Sequence, residues 1–159
     1  MTQIVSYTPP PTVENFIREY IPGELFYNFI IGPYGSGKTT GNFFKIVHMA
    51  MLQEPSPLDG KRKTKVVVVR NTAPQLRDTT IPSWQLWFKD GQAGTWKATD
   101  KEFQLRFPCP GGDVECDILF RPLDTPQDVS RVLSLEVTFA VLDEFVEIPK
   151  EIVDALSGR

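Results

Sequence analysis

The run Gly32-Pro33-Tyr34-Gly35-Ser36-Gly37-Lys38-Thr39-Thr40 matches the pattern G-x-x-x-x-G-K-[ST] at every fixed position. The chemistry open to it is the binding of a nucleoside triphosphate. Gly32, Gly35 and Gly37 can take positive φ and bring backbone N–H groups against phosphate oxygens with no Cβ in the way. Lys38 can reach the β- and γ-phosphates as a point charge, and Thr39 offers a hydroxyl to Mg²⁺. The N-terminus of the helix that follows adds its partial positive charge.

A second stretch, Val137-Thr138-Phe139-Ala140-Val141-Leu142-Asp143-Glu144, is an apolar strand ending in two acids. Alone it is weak, because Asp143 could equally cap a helix and Glu144 be solvated. Paired with the loop it assigns roles: Asp143 near the magnesium held by Thr39, and Glu144 orienting and polarising a water for in-line attack at the γ-phosphorus. These are the patterns known as Walker A and Walker B. A small-molecule kinase has no need of a water-activating carboxylate there, so ATP hydrolysis fits better. Guanine specificity would call for an N-K-x-D-like element, which Asn71-Thr72 does not supply.

Such a site needs a strand to deliver the loop and a helix to leave it. Phe26 to Ile31 reads as that strand and Thr39 to Leu52 as that helix, apolar nearly all round and so largely buried. Val66-Val67-Val68-Val69 suits a strand covered on both faces in a parallel sheet, with Arg70 directly beyond it. Ligands of such sheets bind beyond the carboxyl ends of the strands. Arg70 therefore either faces the phosphates or anchors the following loop. Glu102 to Phe107 and Val114 to Arg121 alternate around a Pro-Gly-Gly turn, a β-hairpin expected at a sheet edge. The expected fold is α/β, of P-loop NTPase type, with a mainly parallel sheet flanked by helices and that hairpin at one edge.

The 159 residues, 41% of them apolar, suit one domain with a sheet-centred core, and the net charge of −3 neither demands nor excludes DNA. No 18-residue apolar run and no charged start with an apolar signal core occurs, so neither a membrane span nor a secretory signal is read and an intracellular protein is the default. Cys109 and Cys116 could face each other across the hairpin, but two thiols are too few for zinc, and reduced structural thiols are preferred.

The remaining features have bland readings beside sharper ones. Thr12 caps a helix through Tyr20, with Val13, Phe16, Ile17 and Tyr20 at helical spacing against the sheet. Tyr7, in the proline-rich lead-in, is a candidate to stack on the base. His48 has no ligand-spaced neighbours and reads as packing. Lys61-Arg62-Lys63-Thr64-Lys65 either touches DNA phosphates or, preferably, is a solvated start to the next strand. Trp84, Leu86, Trp87 and Phe88 form a partner surface or, preferably, a helix packed on the sheet.

Four stretches carry a family resemblance: the loop at Gly32–Thr39, then Val69-Arg70-Asn71-Thr72-Ala73-Pro74-Gln75-Leu76-Arg77-Asp78-Thr79, then Leu123 through Glu136, and Leu142-Asp143-Glu144. Together they resemble the N-terminal ATPase domain of a tailed-bacteriophage terminase large subunit, from roughly Ser6 onward. The resemblance implies a Mg-ATP-driven motor that docks at the portal of an empty capsid and drives double-stranded DNA inward. It further implies the portal protein, the small terminase subunit and a homo-oligomeric ring, usually of five subunits, as partners. The implied location is the host cytoplasm, transiently at the procapsid portal. Family members also carry a C-terminal nuclease; the expectation is residues 1–159 as one C-terminally incomplete ATPase domain with no nuclease domain within it.

Ring ATPases of this kind use an arginine from a neighbouring subunit. Arg131 matches its place before the acid-pair strand, with Arg70 and Arg77 as rivals and a surface ion pair as the plain alternative. The rival functions are another nucleic-acid-dependent P-loop ATPase, such as a helicase, and a nucleotide-binding interaction module without turnover.

Overall fold

The computed structural model of the chain describes residues 6–19 and 27–157. A five-stranded sheet runs through it in the order β2-β3-β4-β1-β5, with β1 Arg62–Arg70, β2 Gly94–Lys97, β3 Glu102–Phe107, β4 Val114–Pro122 and β5 Phe139–Leu142. The central strand is the valine run, and Val66 to Val69 are all fully buried, as a strand covered on both faces requires.

Helices cover the two faces. On one lie α2, Lys38–Leu52, and α4, Ile81–Trp87, whose Phe43, Ile46 and Trp84 meet Val66, Val68, Phe103 and Phe120. On the other lie α5, Pro126–Ser134, and α6, Lys150–Ser157, where Val132 and Ile152 meet Val67, Val69 and Leu119. The aromatic segment is thus a helix packed on the sheet: Trp84 and Phe88 are buried, while Leu86 faces solvent.

The sheet is mixed, not mainly parallel. β1 pairs parallel with both β4 and β5, whereas β2–β3 and β3–β4 are antiparallel. The hairpin forms with β3 where expected, but β4 is interior because it also pairs with β1, and the short β2 makes the edge instead. Alternation identifies a hairpin without saying which of its strands continues the sheet.

The expected strand at Phe26 to Ile31 is not formed over residues 27–31, and Phe26 lies outside the described residues. Phe29 and Ile31 are exposed, Tyr27 and Phe29 stack at 5.8 Å, and Phe29 meets Phe145 edge-on at 5.4 Å. Among the described residues β5 has no neighbour on its outer side, so this apolar run does not extend the sheet there.

The first helix, α1, spans Pro11–Arg18 with Pro10 as its N-cap and Pro11 at its first position, two residues earlier than a Thr12 cap would give; Tyr20 lies outside the described residues. Proline's fixed φ and missing N–H suit that position. It packs on α2 rather than beside the sheet: a Cβ on Gly41 would lie 2.9 Å from Val13 Cγ1. The α2 surface explains why. Lys45, buried there, donates to Phe16 O at 2.6 Å and Glu19 O at 2.7 Å, satisfying carbonyls at the end of α1. Burial pushes its ammonium down to about 8, with Glu19 pulling partly back. α2 is less uniformly buried than its composition suggests, since Met51 and Leu52 are exposed.

The basic run is the start of β1, and two of its four charges are paired locally. Lys61 pairs with Glu115, Lys63 with Asp59, and Arg62 donates to Gln53 O. Cys109 and Cys116 are free thiols; burial, and then Asp117, push Cys116 up to about 12. His48, half-buried on α2, is held below its ordinary range by burial and then by Lys45 and Arg18. No helix among the described residues is long and apolar enough to cross a membrane.

Candidate functional site

The loop before α2 has the backbone its glycines allow. Gly35 and Gly37 take φ +74° and +82°, conformations that a side chain would strain. Gly32 does not have positive φ; its need is room, because a Cβ there would sit 2.7 Å from Ser36 Oγ. Gly37 is the N-cap of α2 and supplies no side-chain cap, so the first-turn amides of a 15-residue helix are open to an anion. The Ser36 hydroxyl oxygen is buried without a partner. Tyr34 stands fully exposed at the tip, and Pro33 O accepts from Ser36 N at 3.3 Å to close the turn.

Lys38 spans the loop from inside. Its ammonium donates to Gly32 O and Pro33 O, both at 2.9 Å, which fixes it across the mouth where an incoming phosphate would meet it. Tyr7 stacks on Phe44 at 4.7 Å and meets Trp87 edge-on at 5.2 Å, with its hydroxyl over Gly37. Its ring is used in packing at the base of the loop.

The acid pair arrives from β5. Asp143 follows Leu142 and is 4% exposed. Thr39 Oγ1 donates to Asp143 Oδ1 at 2.9 Å, joining the two motifs across 104 residues of chain. Asp143 caps no helix: the 3₁₀ turn Phe145–Glu147 has Glu144 as its N-cap, in the left-handed region at φ 54°. A non-glycine residue held there stores of order 1 kcal/mol or more.

Two residues that the motifs did not assign to the acid pair complete it. Arg70, the last residue of β1, places Nη1 3.6 Å from Asp143 Oδ2 and 4.0 Å from Glu144 Oε1, while Nη2 lies 3.9 Å from Glu147 Oε2. Of its two sequence readings, the structure aims it at carboxylates on the same end of the sheet as the loop. Gln75 Nε2 donates to Glu147 at 3.1 Å and ties the same cluster to the chain after Arg70. Thr80, 1% exposed, donates from Oγ1 to Asp143 Oδ2 at 2.8 Å.

Thr80 was not legible from motif spacing. It ends a π-helical turn, Leu76–Thr80, set between the short helix α3, Ala73–Gln75, and α4. The signal that could have found it is the interval of five between the inward-facing Leu76 and Ile81, one more than an α-helix gives.

The three arginines separate. Arg70 is at the acid pair, whereas Arg77 is exposed and bonded to its neighbour Asp78 at 2.7 Å. Arg131, on α5, is 75% exposed, lies 3.7 Å from Asp128, and borders a shallow depression with Lys101 and Arg121 by the β3–β4 end of the sheet. The fold does not bring Arg131 to Asp143 within one chain.

The donors present suit magnesium. Among the described residues no three His, Cys, Asp or Glu side chains converge to hold a metal by themselves. Thr39 and Asp143 offer two hard oxygen donors beside an anion nest. Mg²⁺ is commonly held that way, by one or two protein oxygens with substrate phosphates and waters completing its shell. Compared with protein-family models, with curated proteins and with solved structures, the chain matches none.

Proposed function

We propose that the chain binds and hydrolyses Mg-ATP as the ATPase domain of a viral DNA-packaging motor of the terminase large-subunit kind. The observation that carries the nucleotide reading is the 2.9 Å bond from Thr39 to Asp143. Two motifs read separately, each with its own bland alternative, share one hydrogen bond, beside a lysine stretched across a glycine turn. The packaging role rests on the family resemblance of the stretches after Arg70 and before Arg131.

In this reading the amides of Gly35 to Thr40 and the Lys38 ammonium bind the phosphates, and Thr39 with Asp143 holds Mg²⁺. Magnesium would neutralise charge on the β- and γ-oxygens. Glu144, 34% exposed at the edge of the cluster, orients water toward the γ-phosphorus. Its left-handed backbone turns it out of the line of β5. Arg131, exposed and remote from Asp143, is available to the site of a neighbouring subunit in a ring. Double-stranded DNA, the portal protein and the small terminase subunit are the proposed partners, in the host cytoplasm and at the procapsid portal.

The test is a pair of variants. Lys38→Ala should lose Mg-ATP binding, and retention of parental affinity would refute the phosphate-loop assignment. Glu144→Gln should bind Mg-ATP and not turn it over; parental turnover in that variant would remove Glu144 as the water-orienting group. Turnover by the parent with portal and DNA, against none without them, supports the motor over a generic ATPase. Binding with no turnover under either condition supports the interaction module.

A further inference from the structure

The Asp143 carboxylate is held from two sides by two hydroxyls of different origin. Thr39, at the open cradle, donates to Oδ1 at 2.9 Å; Thr80, sealed in the core, donates to Oδ2 at 2.8 Å. The Asp side chain is otherwise broad and nearly two-fold about its last torsion, so nothing intrinsic decides which oxygen faces a ligand. Here Thr80 makes the one hydrogen bond to Oδ2 among the described residues, with the Arg70 guanidinium farther off at 3.6 Å from the same oxygen. The Thr80 hydroxyl occupies the inward oxygen and turns Oδ1, with Thr39, toward the loop. A ligand cannot reach Thr80 itself, which is 1% exposed.

The backbone that delivers Thr80 is specialised for the purpose. The π turn closes with Ile81 N donating to Leu76 O, five residues back, and Thr79 Oγ1 donates to Gln75 O at 2.6 Å inside the same turn. The wide turn lets Leu76 and Thr80 point inward while Ile81 and Trp84 still face the sheet. A regular helix through this stretch would rotate either Thr80 off Asp143 or Trp84 off the core, by about 100° per residue.

We propose that Thr80 is a positioning residue for magnesium binding: its hydroxyl orients Asp143, and the π turn Leu76–Thr80 places that hydroxyl. The proposal rests on the Mg-ATP reading of the loop. Outer partners of metal-facing groups are worth about 10–100-fold in metal affinity. A merely structural hydroxyl would change stability and leave the metal requirement alone.

The test titrates Mg²⁺ into the chain with a fluorescent ATP analogue, reading anisotropy, and repeats the binding in EDTA. Thr80→Val should need at least about tenfold more Mg²⁺ for half-saturation, with binding in EDTA unchanged. Thr80→Ala should behave alike, and Thr80→Ser, which restores the hydroxyl, should return the parental requirement. A parental Mg²⁺ requirement in Val and Ala, or the same weakening in Ser, overturns the proposal. So does failure of both hydroxyl-free variants to fold, which would make Thr80 a residue of the fold alone. If the parent itself binds no Mg-ATP, or Lys38→Ala binds as the parent does, the phosphate-loop reading fails and this proposal falls with it. A parent that binds while Thr80→Val is unaltered sinks the Thr80 role only.

Discussion

Removing the Arg70 guanidinium tests whether the end of β1 holds the acid pair. Arg70→Met keeps most of the apolar stem and leaves Asp143, 4% exposed, with two hydroxyl donors and no counter-charge. At 3.6 Å and an effective dielectric near 20, the attraction to Asp143 is about 4–5 kcal/mol. Glu144 and Glu147 add little, being a third or more exposed and about 4 Å away. Two effects offset that figure: the guanidinium no longer has to be desolvated, and its Nε, buried without a partner, no longer goes unsatisfied. The expected net loss is about 2–3 kcal/mol. For a chain of this length that lowers the melting temperature by about 5–10 °C.

The assay is a double-mutant cycle in urea, with Arg70→Met, Asp143→Asn and both together. Asp143→Asn removes the charge that Arg70 compensates, so the double variant should be less damaged than the sum. The coupling should be about 2 kcal/mol. It should also persist between 0.05 and 0.5 M NaCl, because salt screens a buried pair weakly. A coupling below about 0.5 kcal/mol, or one that vanishes in salt, would refute the buried pair as the link between the two strand ends.

Three further outcomes follow from the same contacts. Gly41→Ala gains helix propensity of about 1 kcal/mol but pushes a Cβ to 2.9 Å from the stiff Val13 side chain, so α1 should detach and thermal melts should show a net loss of about 1 kcal/mol. Lys45 is held near 8 in the fold against an ordinary 10.5, so the unfolded chain binds the extra proton between those values and stability should rise with pH across that window, by up to about 3 kcal/mol. Lys45→Met should flatten that rise in urea melts between pH 7.5 and 10.5; an unchanged slope would show that the buried ammonium is not its source. Trp84→Ala, at a fully buried ring stacked on Phe88 at 4.3 Å, should cost about 3–5 kcal/mol by chemical denaturation.

What could be read from the chain alone follows a physical line. The glycine loop and the acid pair are legible because the chemistry proposed for them, phosphate and magnesium binding, restricts the residue types at each place. The valine run is legible because four consecutive β-branched residues favour a strand, and an unbroken apolar run suits one covered on both faces. The direction and partners of β4 were not, because its alternation is the same whether its far neighbour runs parallel or antiparallel. Residues 27–31 misled for a related reason: a short apolar run fits a strand in isolation, but a strand also needs a partner ladder, which is a property of the sheet. Arg70 could be placed at the end of the valine strand but not aimed. Thr80 was hidden in a Thr-Thr-Ile-Pro stretch whose only mark is the five-residue interval from Leu76 to Ile81.

The aim of Arg70 turns out to be a matter of register. β1 and β5 run parallel with Val69 opposite Leu142, and Asp143 N donates to Val69 O at 3.0 Å, so the next residue on each strand, Arg70 and Asp143, must emerge side by side. A slip of one residue would put a valine or a leucine at that place and turn the charges to the other face. The same register carries Asp143 to Thr39, because α2 is fixed against Val66 and Val68 through Phe43 and Ile46. The candidate site is therefore not assembled by its own polar contacts. Two apolar strands locked between helical layers set where the carboxylate ends; Thr39, Thr80 and Arg70 then settle its orientation and charge. Changes deep in the valine run should accordingly move Asp143, and with it the proposed nucleotide binding, without touching the loop.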